Sequence, residues 1–217
     1  MKVLCITDHE LLPDEHITDM AYKNWKKSFL YSVRAMSALK PEAVILREKL
    51  LSGIDYTDLF TAVKKQESPY GTHLIWHDHY EALTLFMKYH PKSEWPDGVF
   101  FSRREAGGLS IINLRHMKLR FGLTVHDVNE LADAKIEHTP YILASNIFET
   151  SCKPGVKPKG LHFLKEVCTE FHNPVYALGG ITPENASSCL EAGAAGVAVR
   201  SLCMADDLHE LGQLIEM

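Results

Sequence analysis

Pro174-Val175-Tyr176-Ala177-Leu178-Gly179-Gly180-Ile181-Thr182-Pro183-Glu184-Asn185 is the stretch from which the architecture of this chain can be read. The apolar run 174–178 reads as a buried strand. Two glycines then permit a tight turn and close approach of backbone to a ligand, Thr182 is a natural N-cap and Pro183 a natural first helical residue. An amphipathic stretch over 183–192 follows, and Gly193 and Gly196 bracket the start of a second apolar run at 195–199. Strand, glycine turn, helix and strand in this order make one parallel β/α unit.

Working outward, the same alternation covers the chain. Apolar runs at 3–7, 42–46, 72–76, 97–101, 119–125, 140–144, 174–178 and 195–199 read as strands. Amphipathic stretches at 24–39, 55–66, 79–89, 110–117, 127–136, 160–172, 183–192 and 206–216 read as helices. About eight such units, joined by right-handed crossovers, close most economically into a (β/α)₈ barrel of the triosephosphate isomerase type. An open doubly wound sheet is disfavoured because no GxGxxG follows the first strand and because the chemically interesting residues cluster after many different strands. The 217 residues, 46% hydrophobic, suit a single domain spanning 1–217, without linker or low-complexity tract.

Composition narrows the function classes. A net charge of −5 gives no basic field for a nucleic-acid backbone or an anionic membrane. The five cysteines are odd in number, widely spaced and without a CxxC pair, which fits a reduced, cytoplasmic protein. The start of the chain has no signal-peptide pattern, and no apolar run approaches the ~18 residues of a membrane span. The expected partner is a small molecule held locally, with no nucleic acid and no membrane; a homodimer is compatible with such a barrel.

Four strand ends carry candidate chemistry. Gly179-Gly180 after the seventh strand offers free backbone N–H groups to a phosphate, and Arg200-Ser201 arrive after the eighth, where such barrels often complete a phosphate site. Arg47-Glu48-Lys49 emerges after the second strand; it reads either as a solvated charge cluster or, with Lys153 of the loop after the sixth strand, as a ring of cations around an anion. His126 ends the fifth strand, where the ring would face the barrel mouth as an acid/base or serve as a structural residue; Asp127 with Glu130 resembles a capping box. His77-Asp78-His79 fails as a zinc site, since successive side chains diverge; Asp78 could instead help hold Mg²⁺ on a diphosphate.

These residues resemble the thiamine phosphate synthase/TenI superfamily. The resemblance runs from Ile6-Thr7-Asp8 through Arg47-Glu48-Lys49, His77-Asp78, Thr124-Val125-His126, Ile147-Phe148-Glu149-Thr150 with Lys153, Gly179 to Asn185, and Ala192 to Val199. It implies a barrel and a thiazole phosphate ligand, with Thr124 and Thr150 among the ligand contacts. In the synthase branch a thiazole phosphate is joined to a pyrimidine methyl diphosphate with Mg²⁺. Against that branch's pattern the glutamine is Ile45, the asparagine His77, the HLGQED stretch reads Phe100 to Glu105, and a threonine is Cys152. Asp78 and Glu105 would be its metal carboxylates. The TenI branch, whose active members are thiazole tautomerases, resembles Phe148 to Gly155 and Ser102-Arg103 more closely. It implies His126 as proton shuttle, Arg47, Lys49 and Lys153 around a carboxylate, and no metal or other cofactor. A non-catalytic thiazole or thiamine phosphate binder is the third reading.

Overall fold

The structure, a computed structural model, describes residues 1–12, 22–67, 70–109, 119–150 and 155–217. Eight parallel strands close a barrel in sequence order: β1 (Lys2–Ile6), β2 (Ala43–Leu46), β3 (His73–His77), β4 (Gly98–Phe101), β5 (Arg120–Val125), β6 (Tyr141–Ser145), β7 (Val175–Leu178) and β8 (Gly196–Val199). Closure is made by β1 against β8, in a register running from Lys2 opposite Gly196 to Cys5 opposite Val199. All eight expected strands are present, each within a residue or two of its expected bounds.

Why the strands read as unbroken apolar runs follows from the pleat. Alternate residues face opposite sides, and both sides are buried. Leu4, Ile6, Ala43, Ile45, Ile75, Phe100, Leu143, Tyr176 and Ala198 point inward and fill the barrel. The intervening residues, among them Val3, Cys5, Val44, Leu46, Trp76, Phe101, Leu123, Ala144 and Val197, point outward into the layer under the helices.

That outer layer is supplied by α1 (Tyr22–Ala38), α2 (Gly53–Glu67), α3 (Tyr80–Tyr89), α4 (Arg103–Gly108), α5 (Ala134–Glu137), α6 (Gly160–Glu170), α7 (Pro183–Glu191) and α8 (His209–Glu216). Helical spacing selects the buried face: Phe163, Leu164 and Val167 in α6, Leu211 and Leu214 in α8. The expected helix over 127–136 is instead a 3₁₀ turn, Val128–Ala132, followed by the single turn α5. Asp133 breaks the run by accepting the Lys135 N–H and capping the second segment. Helix α4 was not expected; Ser102 caps it by accepting the Glu105 N–H. The expected helix over 110–117 lies outside the described residues. Among those described, no helix is long and apolar enough to cross a membrane.

Candidate active site

A cavity of about 380 Å³ opens at the C-terminal ends of the strands, the end at which barrels of this kind carry their sites. Its floor is the top of the inward core: Ile6, Ile45, Phe100, Leu143, Leu178 and Ala198. Arg47, Lys49, Thr124, His126, Thr150, Gly179, Gly180, Arg200 and Ser201 all line it, so nine residues singled out from five strand ends converge on one volume. Lys153 lies outside the described residues. His77, Ser102, Arg103, Ser145 and Asn146 line the cavity as well.

The anion side is organised by Asp8, which sequence reading left without a role. Its carboxylate Oδ2 accepts from Arg47 at 2.8 Å and from Arg200 at 3.0 Å, tying the ends of β2 and β8 to that of β1. One residue on either side, the chain faces away from the cavity. Glu48 is 1% exposed and accepts from Thr7 Oγ1 at 2.7 Å, the His9 N–H at 3.1 Å and His9 Nδ1 at 2.7 Å. His9 stacks on Trp25 at 4.3 Å and 8°. Burial works against charge on His9, but the hydrogen bond to Glu48 and its charge, aided by Glu10 and Asp8, outweigh it and raise the pKa. Lys49 reaches over the rim; partial shielding by protein, then repulsion from Arg47, lower its pKa. Burial, with Arg47 and Lys49 nearby, drives the His77 pKa well below its ordinary value, so this ring is neutral, stacked 5.9 Å from Phe100.

The loop after β7 needs its glycines twice over. Gly179 and Gly180 have φ of 103° and 65°, and a Cβ at Gly180 would lie 2.2 Å from the Glu149 carbonyl oxygen. Thr182 and Pro183 cap α7 as expected. Asn185 braces the loop: its Oδ1 accepts from Thr182 N at 2.9 Å and its Nδ2 donates to Gly180 O at 2.8 Å. The N–H groups of Gly180 and Ser201 have no acceptor among the described residues, leaving them for a phosphate.

Across the cavity, His126 Nδ1 lies 2.7 Å from the Ser145 carbonyl oxygen. A carbonyl only accepts, so Nδ1 carries a proton and Nε2 is left for a ligand. Glu130 closes no box with Asp127: its Oε2 accepts the His126 N–H at 2.7 Å, and Asp127 accepts from Asn129. Glu130 therefore fixes the backbone beneath the imidazole.

Asp78 and Glu105 stand beside the cavity, in an adjoining surface groove. Asp78, at φ 54°, accepts the Ser102 N–H through Oδ1 at 2.6 Å, and Glu105 accepts the Tyr80 N–H at 2.9 Å. Each keeps one oxygen, the number a Mg²⁺ ion shared with a substrate diphosphate uses. The single group of three potential ligands found among the described residues, Asp8, His9 and Glu48, suits a cation poorly, because Arg47 and Arg200 already neutralise Asp8.

The sequence matches the family profile described as Thiamine monophosphate synthase over residues 16–202. The chain belongs to the thiamine phosphate synthase/TenI family. A thiamine-phosphate synthase of Alcanivorax borkumensis is 29% identical over 203 residues, 89% of this chain and 81% of the relative. Thiamine-phosphate synthase 2 of Streptococcus pneumoniae is 29% identical over 87% of this chain and 86% of its own. Among solved structures, the thiamine phosphate pyrophosphorylase of Pyrococcus furiosus superposes with a TM-score of 0.76 over 99% of this chain and 93% of that one, at 21% identity, a likeness of fold. A family whose members carry these names places the chain in thiamine biosynthesis, acting on small molecules of that route.

Proposed function

We propose that the cavity binds a thiazole phosphate and isomerises its carboxylated, not yet aromatic form by proton transfer through His126. The observation that carries this reading is the hydrogen bond from His126 Nδ1 to the Ser145 carbonyl, which fixes the ring and leaves Nε2 as the exchanging nitrogen. In the tautomerisation Nε2 takes a proton from one carbon of the conjugated system, and the imidazolium returns a proton at another; no atom is gained or lost. The Ser145 carbonyl accepts from Nδ1–H throughout and supports the transient positive charge. Gly180 and Ser201 N–H, with Arg47 and Arg200, hold the phosphate; Thr124 and Thr150 line the walls between. The apolar floor of Ile45, Phe100 and Leu143 suits a thiazole ring and offers nothing to the polar edge of a pyrimidine.

The second reading is the thiamine-phosphate synthase reaction, favoured by the names of the relatives and by the free carboxylate oxygens of Asp78 and Glu105. Under it those two side chains hold a Mg²⁺ that neutralises the departing diphosphate, with Lys49 and Lys153 nearby in fold and sequence respectively. Purified protein incubated separately with the unaromatised thiazole carboxylate phosphate and with the synthase substrate pair discriminates the two. Aromatic thiazole formed equally well in a chelator supports the tautomerase; thiamine phosphate formed only with Mg²⁺ replaces it with the synthase; neither product leaves a binder.

A further inference from the structure

The cationic side chains lining the cavity do not form one cluster. Among the described residues they are Arg47, Lys49, Arg200 and Arg103. The first three sit after β2 and β8, gathered about β1 through Asp8. Arg103 follows β4. In an eight-stranded barrel in sequence order, β4 stands diametrically across from β8 and next to β5, the strand that ends at His126. The cavity thus has two positive poles on opposite walls, with the exchanging imidazole beside the second.

We infer that Arg103 is the receptor for a second anionic group, a ring carboxylate at the far end of the ligand from its phosphate; this rests on the tautomerase reading above. An elongated ligand with its phosphate at Gly180 and Ser201 presents its opposite end to the β4 wall. Arg103 is available there. It is the first residue of α4, set by the Ser102 cap, and its side chain is 37% exposed. Its acidic neighbours hold it loosely: Glu130 at 3.6 Å and Asp133 at 3.5 Å, both beyond ordinary hydrogen-bond length. Glu130 is also bound to the His126 N–H through its other oxygen. A guanidinium has five N–H donors in a planar fork that matches a carboxylate, and two long contacts leave the fork largely unspent. A carboxylate seated on it would lie beside the histidine that exchanges protons with the same ring. The arrangement accounts for a selectivity that phosphate grip alone cannot give, between thiazole phosphates with and without a carboxylate.

The test is calorimetric titration of the whole protein with two aromatic thiazole phosphates, one carrying the ring carboxylate and one lacking it. Wild type is expected to bind the carboxylated ligand at least about tenfold more tightly, the scale of one charge-assisted hydrogen-bonded contact. Arg103→Met should abolish that preference while binding the uncarboxylated ligand as wild type does, and Arg103→Lys should restore part of it. Glu130→Gln separates a local structural effect: it should slow turnover through His126 and leave the preference intact. Equal weakening of both ligands by Arg103→Met, or an unchanged preference, overturns the inference. Because binding is read without turnover, a wild type that prefers the carboxylate but isomerises nothing refutes the tautomerase reading and not the role of Arg103.

Discussion

Replacing Gly180 by alanine tests the phosphate site through the geometry of its loop. At φ 65° an L-residue with a Cβ is disfavoured by about 1–2 kcal/mol. The added Cβ would also meet the Glu149 carbonyl oxygen at 2.2 Å and the Phe148 Cβ at 2.8 Å. Neither is the end of a flexible side chain, so the β6 and β7 loops must part, at an overpacking cost of about 1–3 kcal/mol. Together these predict a loss of roughly 2–5 kcal/mol of stability. The displaced N–H groups should weaken binding of a thiazole phosphate by about tenfold or more. Gly71→Ala is the control: φ is 74°, nothing lies within 4 Å of a Cβ, and the position precedes β3 at the opposite end of the barrel. It should show the backbone cost alone, with affinity unchanged. Scanning calorimetry and ligand titration on the three proteins decide the matter. A Gly180→Ala protein that loses stability but keeps full affinity would refute the phosphate assignment, and one that keeps both would refute the steric argument.

His126→Asn should lower the isomerisation rate by about 10²–10⁴-fold with ligand affinity nearly intact; a two-fold effect would remove the ring from the mechanism. Asp8→Asn takes away the carboxylate shared by Arg47 and Arg200 and should raise KM about tenfold while sparing kcat, whereas a fall in kcat alone would show that Asp8 acts elsewhere. His9 carries a raised pKa, so it binds its proton more tightly folded than unfolded. Its stabilisation is therefore full below the unfolded value of 6.5 and lost as pH rises through the raised one. Melting temperature should drop across that window in wild type, and the same drop in His9→Gln would clear this pair of responsibility.

The fold was legible because burial on both faces writes each strand as an apolar run, and because Gly179 to Pro183 spells a turn and a helix start. What escaped has local causes. Helix α4 is a short run without an apolar stripe, and the segment over 128–137 is broken by a cap that Asp133 supplies from within an otherwise helical pattern. The capping box at Asp127 was misassigned because spacing cannot say which N–H a glutamate takes; the backbone at His126 turned Glu130 to its own amide. The site residues after β2, β5, β7 and β8 were legible as polar residues at strand ends. Asp8 and His9 were missed because their partners are about 40 and 190 residues away in the chain, a separation no local pattern records.

The run Arg47-Glu48-Lys49 shows how a charge cluster becomes a site. In sequence it reads equally well as a solvated face, yet the alternation of β2 continues past the strand end and sorts the three charges by direction. Arg47 and Lys49 reach the cavity, while Glu48 turns behind it to Thr7 and His9. Were Glu48 on the cavity side, it would cancel a cation and repel the ligand. Buried behind, its charge is met by His9 at 2.7 Å, so it locks β1 to β2 without drawing on the cations in front. The remaining balance follows from the same geometry: Arg47, Arg200 and Lys49 face the anion pole, Asp8 offsets one of them, and two positive charges are left over. A phosphate monoester carries about −1.5 to −2 near neutrality. The pole is thus matched in charge to one phosphate, and any second anion on the ligand must be met on the other wall, where Arg103 stands.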